Sequence, residues 1–349
     1  MDELSKHLQR LNWSVRETKY RPAFGKVTYR NHVDNPSASV VIISWRYVEG
    51  FQKNMALLNA SRDGSFEVIF VNNGRDDAEF APVLPHVDTY VNLNYNTGAY
   101  VARNIGSLFA RAPVIIFLED DGIIEEGFVK AHLEAYEKYT AISVRGVCRP
   151  LTDNPVNKLA RHYYLGSKAF PTIANLEGNS SYRAEAFYQA GGWSDEITFG
   201  HGGPELSYRL TRVYPDQRMQ IYYPVPVIYH DYAKDEEHLR NKKIKQQSSY
   251  EALRQKYPDW EQFFLSWRKY HRKRYLLRKK QRSSLPELAA DAIDYALYDI
   301  VRPIYRLVFK GRFAAVSDRE KCDSKPKNAS NPAMHSPETT DVLKPEKVE

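Results

Sequence analysis

Three consecutive carboxylates, Glu119, Asp120 and Asp121, directly follow the apolar run Val114–Leu118. A run of this kind predicts a strand that is buried on both faces. Adjacent acids repel one another unless a positive charge lies among them. A hard divalent cation would supply that charge, since Mg²⁺ prefers one or two carboxylates together with phosphate oxygens. The triplet therefore indicates a metal and phosphate site, and the alternative is a solvated acidic turn before Gly122.

Two further polar side chains come at the ends of predicted strands. Ser44 ends the buried run 39–44, and Asn73 lies in the turn that follows the run 66–71. Strands that alternate with helices predict a mostly parallel sheet. Ligands of such sheets bind beyond the carboxyl ends of the strands. We therefore expect Ser44, Asn73 and the acidic triplet to meet at one edge of the sheet.

The sequence divides into four segments of different character. A polar lead-in covers residues 1–37, with no clear period, and an α/β domain covers 38–235. A charged, aromatic and then amphipathic extension, predicted to be helical, covers 236–316, and a polar tail with the composition of a disordered segment covers 317–349. Within the domain, the spacing predicts helices over 51–61, 96–111, 183–190 and 204–213, and strands over 39–44, 66–71, 89–92, 114–118 and 220–229.

Composition limits the class of protein. The chain has 349 residues and a formal net charge of +7, and nine Lys or Arg lie between Arg268 and Arg282 without an acid. Without these nine the net charge would be −2, so the basic character is local. Two cysteines do not make a disulfide framework. The first residues lack a signal-peptide layout, and no apolar run approaches the roughly 18 residues of a membrane span. We expect a cytoplasmic protein.

Six segments in this order resemble the family 2 glycosyltransferases of the GT-A fold, and the resemblance covers roughly residues 38–232. They include the opening strand, a second strand with its turn, an N-x-G…A-R-N-x-G helix, a D-x-D strand end, an acceptor-side region and a strand with a late histidine. These segments are Val40–Ser44, Val68–Gly74, Asn96–Gly106, Phe117–Asp121, Gly178–Leu210 and Val227–His230. The resemblance implies a nucleotide-binding half, 38–122, and an acceptor half, 123–235.

The resemblance also implies roles for the donor side of the site. Asp121 would hold a divalent cation, Mn²⁺ or Mg²⁺, and His230 would complete the metal shell or touch the diphosphate. Imidazole suits Mn²⁺ as a ligand. The nucleotide sugar would be bound by five side chains: Ser44, Asn73, Arg103, Glu119 and Asp120. Each of three residues also has a purely structural alternative. Asn73 could stabilise the turn, Arg103 could form a surface ion pair, and His230 could simply be hydrogen-bonded at the end of its strand.

On the acceptor side, the resemblance makes Glu205 the candidate general base. An inverting transfer needs a carboxylate that takes the proton of the attacking hydroxyl. Many relatives carry adjacent Glu-Asp here, whereas this chain has Gly203-Pro204-Glu205, which leaves Asp195 or Glu196 as alternatives. Glu205 is also compatible with a role at the positive end of a helix dipole. Trp193 and His201 would line the acceptor site, and their alternatives are a core residue and a loop residue.

The basic stretch is followed by an apolar stripe formed by Ile293, Leu297, Ile300, Ile304 and Leu307. Residues 267–310 would suit an anionic membrane surface, because polybasic segments and amphipathic helices both bind there. Packing on the domain or on a second copy is the main alternative, so a homo-oligomer stays open. Nucleic acid is disfavoured, since the body of the chain is near neutral.

These features predict a metal-dependent glycosyltransferase, inverting by family default. It would move a sugar from a nucleotide-diphosphate donor to a glycan or glycolipid hydroxyl, in cell-surface polysaccharide synthesis, with the protein peripheral on the inner face of the plasma membrane. One alternative is a catalytically degenerate relative that binds sugar nucleotide or glycan. The other is a sugar-nucleotide nucleotidyltransferase, which is disfavoured because Ser44–Tyr47 is not a Gly-rich loop with Arg and Lys.

Overall fold

The computed structural model describes residues 13–48 and 50–309. The described residues up to Tyr295 belong to one compact unit, and those from Ala296 onward belong to a second. The end of the predicted extension, 310–316, and the predicted tail, 317–349, lie outside the described residues.

A single mixed sheet forms the centre of the first unit. Its strands in the described chain are β1 (Phe24–Tyr29), β2 (Ala38–Ser44), β3 (Phe66–Asn72), β4 (Thr89–Leu93), β5 (Val114–Glu119), β6 (Ile123–Ile124), β7 (Ser143–Arg149), β8 (Phe170–Pro171), β9 (Asn179–Arg183) and β10 (Gln220–Tyr229). Their order is β1-β4-β3-β2-β5-β9-β7-β10-β6, and β8 pairs with β10. Strands β2, β3, β4, β5, β7 and β10 run in one direction. Their carboxyl ends therefore share one edge.

Helices cover both faces of this sheet. In the first unit they are α1 (Ser14–Tyr20), α2 (Phe51–Ala60), α3 (Asp77–Phe80), α4 (Ala99–Leu108), α5 (Phe128–Lys138), α6 (Ala184–Gln189), α7 (Gly202–Val213), α8 (Glu236–Lys256), α9 (Trp260–Trp267) and α10 (Leu285–Tyr295). Successive side chains of β2 point to opposite faces of the sheet, and both faces are buried. Val40 and Ile42 enter one core and Val41 enters the other, so the sequence of β2 is apolar throughout. The helices predicted over 51–61, 96–111 and 204–213 are confirmed, with ends that differ by up to three residues.

Close packing of α4 on the sheet explains its glycines. A Cβ on Gly106 would lie 2.5 Å from Cγ1 of Val41, so only glycine allows α4 to approach β2 this closely. Gly98 precedes the helix with a φ of +84°, a conformation that favours glycine. The N-x-G and A-R-N-x-G segments are therefore fixed by backbone geometry, and they place the start of α4 at the edge where β2 and β3 end.

The lead-in contains structure that the sequence pattern did not predict. Helix α1 packs into the core through Trp13 and Tyr20, and β1 pairs antiparallel with β4 at the end of the sheet. These pairs are formed with residues about 60 positions away, so no local period reveals them. None of the helices within residues 13–48 and 50–309 combines the length and apolar character needed to cross a bilayer.

The C-terminal region is helical only in parts. After α8 and α9 the basic stretch forms two short 3₁₀ turns, Arg268–Tyr270 and Arg274–Leu276, so the extension, predicted to be helical, has no α-helix between Trp267 and Leu285. Glu287 caps the start of α10, because its carboxylate accepts a hydrogen bond from the backbone N–H of Ser284 at 2.9 Å, as in a capping box. The second unit contains a π-helical turn, Ala296–Val301, and α11 (Arg302–Val308), with Pro303 in the first turn of α11.

Candidate functional site

The polar ends of three neighbouring strands meet at the carboxyl edge of the sheet, as the sequence predicts. Ser44 ends β2, Asn73 follows β3 and Glu119 ends β5. Strand β2 lies between the other two and pairs with both in parallel. His230 follows β10, which runs in the same direction and reaches the same edge. Residues that are far apart in the chain are thus brought together by strand direction alone.

Glu119, Asp121 and His230 form a candidate metal site. Each side chain offers one ligand atom, and these atoms lie within 4.8 Å of one another. Two carboxylate oxygens and one imidazole nitrogen form a donor set that suits Mn²⁺ and is compatible with Mg²⁺. The predicted metal ligands Asp121 and His230 therefore lie together. Glu119, which was assigned to the nucleotide sugar, lies beside them. Three side chains, and not only the predicted two, could therefore ligate a metal ion.

The charges within this cluster are strongly coupled. Burial alone would lower the pKa of His230, but hydrogen bonds to Asp121 and Cys148 and the nearby carboxylates raise it to about 10. Burial opposes ionisation of Asp121, and the bond and charge of His230, with Arg46, nevertheless hold its pKa below the usual value. The two side chains are 3.5 Å apart. A bound cation would replace the proton of His230 as the counter-charge of these acids.

Asp120 is not among the three candidate metal ligands. It lies in the turn that directly follows β5. There it accepts a hydrogen bond from the Ser44 hydroxyl on the adjacent strand. Burial and the negative charge of Asp121 raise the pKa of Asp120 to about 7. Ser44 and Asp120 thus satisfy each other, and their predicted contact with the nucleotide sugar stays a prediction.

Arg103 supplies a buried positive charge beside the cluster. It extends from α4 to Glu119 and Glu177, with nitrogen–oxygen distances of 3.4 Å to each. Its guanidinium also lies over the ring of Trp193, 5.3 Å from the ring centre. Only 5% of the Arg103 side chain is exposed. These contacts favour Arg103 as an internal counter-charge of Glu119 and Glu177, and its direct contact with the nucleotide stays a prediction.

This geometry coincides with a family match. Residues 39–194 match the family model described as glycosyl transferase family 2. These 156 of the 349 residues are similar to a family 2 glycosyltransferase domain. The fold class and the enzyme class predicted from the sequence are thereby confirmed. No curated protein matches the sequence at a significant level.

Solved glycosyltransferase structures resemble this chain at low sequence identity. The mannosyltransferase PcManGT from Pyrobaculum calidifontis, in complex with GDP-Man and Mn²⁺, has a TM-score of 0.49 and 14% identity over 92% of this chain and 97% of that chain. S. aureus TarS 1–349 has a TM-score of 0.44 and 14% identity over 60% of this chain and 65% of that chain. GalNAc-T7 with UDP, GalNAc and Mn²⁺ has a TM-score of 0.44 and 15% identity over 57% and 44%.

Asn73 of the glycosyltransferase domain is engaged by the loop before α4. Its amide donates to the side chain of Asn96 at 3.1 Å and to the carbonyl of Gly98 at 3.4 Å. Its oxygen accepts from the backbone N–H of Thr97 at 2.9 Å. A side chain so occupied organises the loop, so a direct contact with a base would require these bonds to open. The turn role is the one that the contacts support.

The surroundings of Glu205 favour a structural role over the predicted role of general base. Arg209 binds both carboxylate oxygens, at 2.8 and 2.6 Å, and the Tyr257 hydroxyl donates to one of them at 2.7 Å. Only 1% of the Glu205 side chain is exposed. Both oxygens of Glu205 are thus satisfied inside the protein, which favours a structural role.

The alternative bases are also engaged elsewhere. Asp195 accepts hydrogen bonds from Tyr20 and Asn104 and an ion pair from Lys19 at 2.6 Å. Glu196 is exposed and pairs with Lys256, at the end of α8. These partners of Asp195 and Glu196 are not residues of the acidic cluster. The contacts therefore assign Asp195 to holding α1 against the domain.

Trp193 and His201 have different outcomes. Trp193 is fully buried and packs against Tyr100 and Phe117, which favours the alternative of a core residue over stacking on an acceptor sugar. Its ring interacts with the Arg103 cation, which makes it part of the wall behind the site. His201 is half-buried and begins α7 with a φ of +61°. Its acceptor contact stays a prediction.

Glu177 is a site residue that the sequence reasoning missed. It accepts hydrogen bonds from the Tyr100 hydroxyl at 2.8 Å and from the backbone N–H of Gly203 at 2.9 Å, besides the Arg103 pair. A Cβ on the next residue, Gly178, would lie 2.3 Å from Cδ of Glu119. Glu177 is thus held beside the metal cluster and is 17% exposed. In the sequence, the feature that could have indicated this site is Glu177 followed by Gly178, directly before β9.

Two cations flank the acidic cluster and were likewise not predicted. Arg46 follows β2 and donates to Asp121 at 3.4 Å. Lys242 of α8 is half-buried and donates to the carbonyl of Tyr232 at 2.9 Å. Burial lowers the pKa of Lys242, and the charges of Glu119, Asp121 and Glu177 oppose that shift. Arg46 and Lys242 are the positive charges that a diphosphate would meet at this edge.

Proposed function

We propose that this protein transfers a sugar from a nucleotide-diphosphate donor to a hydroxyl group of a glycan or glycolipid, in a metal-dependent and inverting reaction. The observation that carries the proposal is the cluster of Glu119, Asp121 and His230 at the carboxyl edge of the sheet in a family 2 domain. The resembling structures named for GDP-Man, UDP and Mn²⁺ are consistent with such a donor and cation.

The donor would bind with its diphosphate between cations. A divalent ion held by Glu119, Asp121 and His230 would neutralise the diphosphate as it leaves. Arg46 and Lys242 would bind its remaining oxygens by charge-assisted hydrogen bonds. Arg103 does not reach the donor in this scheme, and it keeps Glu119 in position by its buried ion pair.

We propose Glu177 as the residue that accepts the proton. The acceptor hydroxyl oxygen attacks the anomeric carbon, the bond from that carbon to the diphosphate oxygen breaks with inversion, and the hydroxyl proton passes to the Glu177 carboxylate. Glu177 is favoured because it lies beside the metal cluster and is partly exposed, whereas Glu205 is closed off. The nucleoside diphosphate leaves with the bonding electrons.

A thermal-shift panel of UDP-, GDP- and dTDP-sugars, each with and without Mn²⁺, tests donor binding. A ligand that binds only the folded protein raises the melting temperature by mass action. We expect one nucleotide class to raise it in the presence of Mn²⁺, and no shift with that donor for Asp121→Asn. A panel in which no sugar nucleotide stabilises the protein would contradict the proposal.

Glu177→Gln separates transfer from binding. The amide keeps acceptors for Tyr100 and Gly203 but cannot take a proton, so we expect donor binding to persist and kcat of transfer to fall by 10²-fold or more. Glu205→Gln is the matched control, with the stability lowered and the kcat of the folded fraction kept. Equal kcat losses in both variants would remove Glu177 from the scheme.

A second candidate function is donor binding without transfer. It is favoured by the absence of a free carboxylate at Glu205, the position to which the resemblance points. Turnover of the stabilising donor with Mn²⁺, lost in Asp121→Asn, would exclude it. Cell-surface polysaccharide synthesis and a place on the inner face of the plasma membrane belong to the proposal as its expected setting.

A further inference from the structure

The polar face of helix α10 lies against the first unit, and its apolar face is exposed. Its carboxylates point at the protein: Asp291 pairs with Arg274 at 3.2 Å and with Lys279 at 2.8 Å. Asp294 is buried and pairs with Arg274 at 3.0 Å and with Lys168 at 3.3 Å. Four ion pairs thus fix the polar face of α10 against the first unit. A helix on a water-soluble surface normally has the opposite orientation.

The outward face of α10 is apolar. Leu285, Leu288 and Ile293 are 82%, 52% and 63% exposed, and Ala289 and Ala292 between them are exposed as well. A contiguous exposed apolar face of this kind indicates contact with a partner or with lipid. Residues 296–309, taken by themselves, repeat the pattern, with exposed Leu297, Ile300, Ile304, Leu307 and Val308.

The stretch of chain that leads into α10 carries exposed positive charges. It presents six exposed cations: Arg278, which pairs with Asp216 at 3.0 Å, and five others, Arg268, Lys269, Arg272, Lys280 and Arg282. The acids of α10 are directed inward, and Glu287 caps the helix start. In a twofold contact between copies of this chain, these cations would face one another, which costs free energy. An anionic surface with an apolar interior satisfies both features at once.

We infer that the outward face of α10 and the five exposed cations form a docking surface for an anionic lipid membrane. The apolar side chains enter the headgroup region, and the cations contact lipid phosphates. The surface lies away from the metal cluster, because the backbone of residues 278–280 bonds to residues 138–140, before the start of β7. Docking therefore holds the opposite end of the sheet and leaves the edge with Glu119 and Asp121 open.

Co-sedimentation of the full chain with vesicles tests this surface. We expect binding to phosphatidylcholine vesicles that contain phosphatidylglycerol, weaker binding to pure phosphatidylcholine, and loss of the difference at about 1 M salt, where charges are screened. Replacing Lys269, Lys280 and Arg282 by Gln should lower the affinity roughly 100-fold, since each cation contributes about 1 kcal/mol, or about fivefold in affinity.

The apolar part has a matched control. Ile293 and Ile244 are both 63% exposed, and Ile244 lies on α8. Ile293→Ser together with Leu288→Ser should abolish vesicle binding, whereas Ile244→Ser should not change it. Circular dichroism checks folding of each variant. Donor-induced thermal shifts should be unchanged in all of them, so failure here is distinguishable from failure of the transferase proposal.

Three results would overturn the inference. One is vesicle binding that is the same with and without phosphatidylglycerol, or that Ile244→Ser lowers as much as the α10 variant. Another is a dimer in light scattering that dissociates on Ile293→Ser and Leu288→Ser, without lipid binding, which would assign the face to a second copy. The third is retention by single-stranded oligonucleotides in place of vesicles.

Discussion

Replacing Arg103 by Met removes the buried cation between two carboxylates and should destabilise the protein markedly. Each carboxylate lies 3.4 Å from the guanidinium. At an effective dielectric constant of about 20 each pair has a gross attraction of roughly 5 kcal/mol. Most of that offsets desolvation, and breaking a buried pair costs about 3–5 kcal/mol. Because Glu119 and Glu177 are partly exposed, we expect the lower end, about 3 kcal/mol.

Urea unfolding followed by circular dichroism measures this loss. Glu177→Gln should restore part of the free energy of unfolding that Arg103→Met removes, because it removes one of the two carboxylates left without their cation. The double variant should therefore be more stable than the sum of the two single changes predicts, by about 1 kcal/mol or more. Arg75→Met is the matched control, because Arg75 pairs with Glu79 on the surface and its loss should cost less than about 1 kcal/mol. A loss below about 1 kcal/mol for Arg103→Met, or full additivity with Glu177→Gln, would refute the role of Arg103 as counter-charge.

Three further predictions concern single residues. Burial lowers the pKa of His132 to about 3, well below its value in the unfolded chain. The free energy of unfolding of the wild type should therefore fall by up to about 4 kcal/mol as the pH falls from 6.5 towards 3, and this dependence on pH should be weaker in His132→Asn. The same dependence on pH in both proteins would contradict this. Gly178→Ala inserts a Cβ against Glu119 and should weaken Mn²⁺ binding in calorimetry by tenfold or more, with unchanged circular dichroism; wild-type affinity would be the contrary result. Glu205→Gln should lower the free energy of unfolding by about 2 kcal/mol through its Arg209 and Tyr257 contacts, and a fully stable variant would count against the structural role.

The meeting of Ser44, Asn73 and Glu119 at one edge could be predicted from the sequence, because parallel strands align their carboxyl ends. The separate position of Asp120 was not predictable from strand alternation, because Asp120 and Asp121 lie in a turn after β5. The pairing of Asp121 with His230, more than a hundred residues away, followed only from the family resemblance and not from any local pattern.

Other features depend on tertiary packing and had weak signals or none. The spacing of Glu205 and Arg209 is that of a helical ion pair, which was a readable sign of a structural role. The burial of Trp193 depends on Phe117 and Tyr100 from other elements. Lys242 sits in a charged helix whose sequence does not show which cation faces the site.

The orientation of the C-terminal helix shows the same limit. The apolar stripe around Ile293 predicted an amphipathic helix, and a soluble protein would normally bury that stripe. Which face turns inward is decided by Arg274 and Lys168, whose partners on α10 cannot be paired from spacing alone.

The central claim is that Glu119, Asp121 and His230 bind a divalent cation together with a sugar nucleotide. Electron paramagnetic resonance of free Mn²⁺, titrated against the protein with and without the stabilising donor, measures it directly. We expect one Mn²⁺ per chain, bound more tightly with the donor present, and loss of this binding in Asp121→Asn and in His230→Ala with circular dichroism unchanged. Mn²⁺ binding of equal affinity in the wild type and in both variants, or donor binding that does not change with Mn²⁺, would contradict the account.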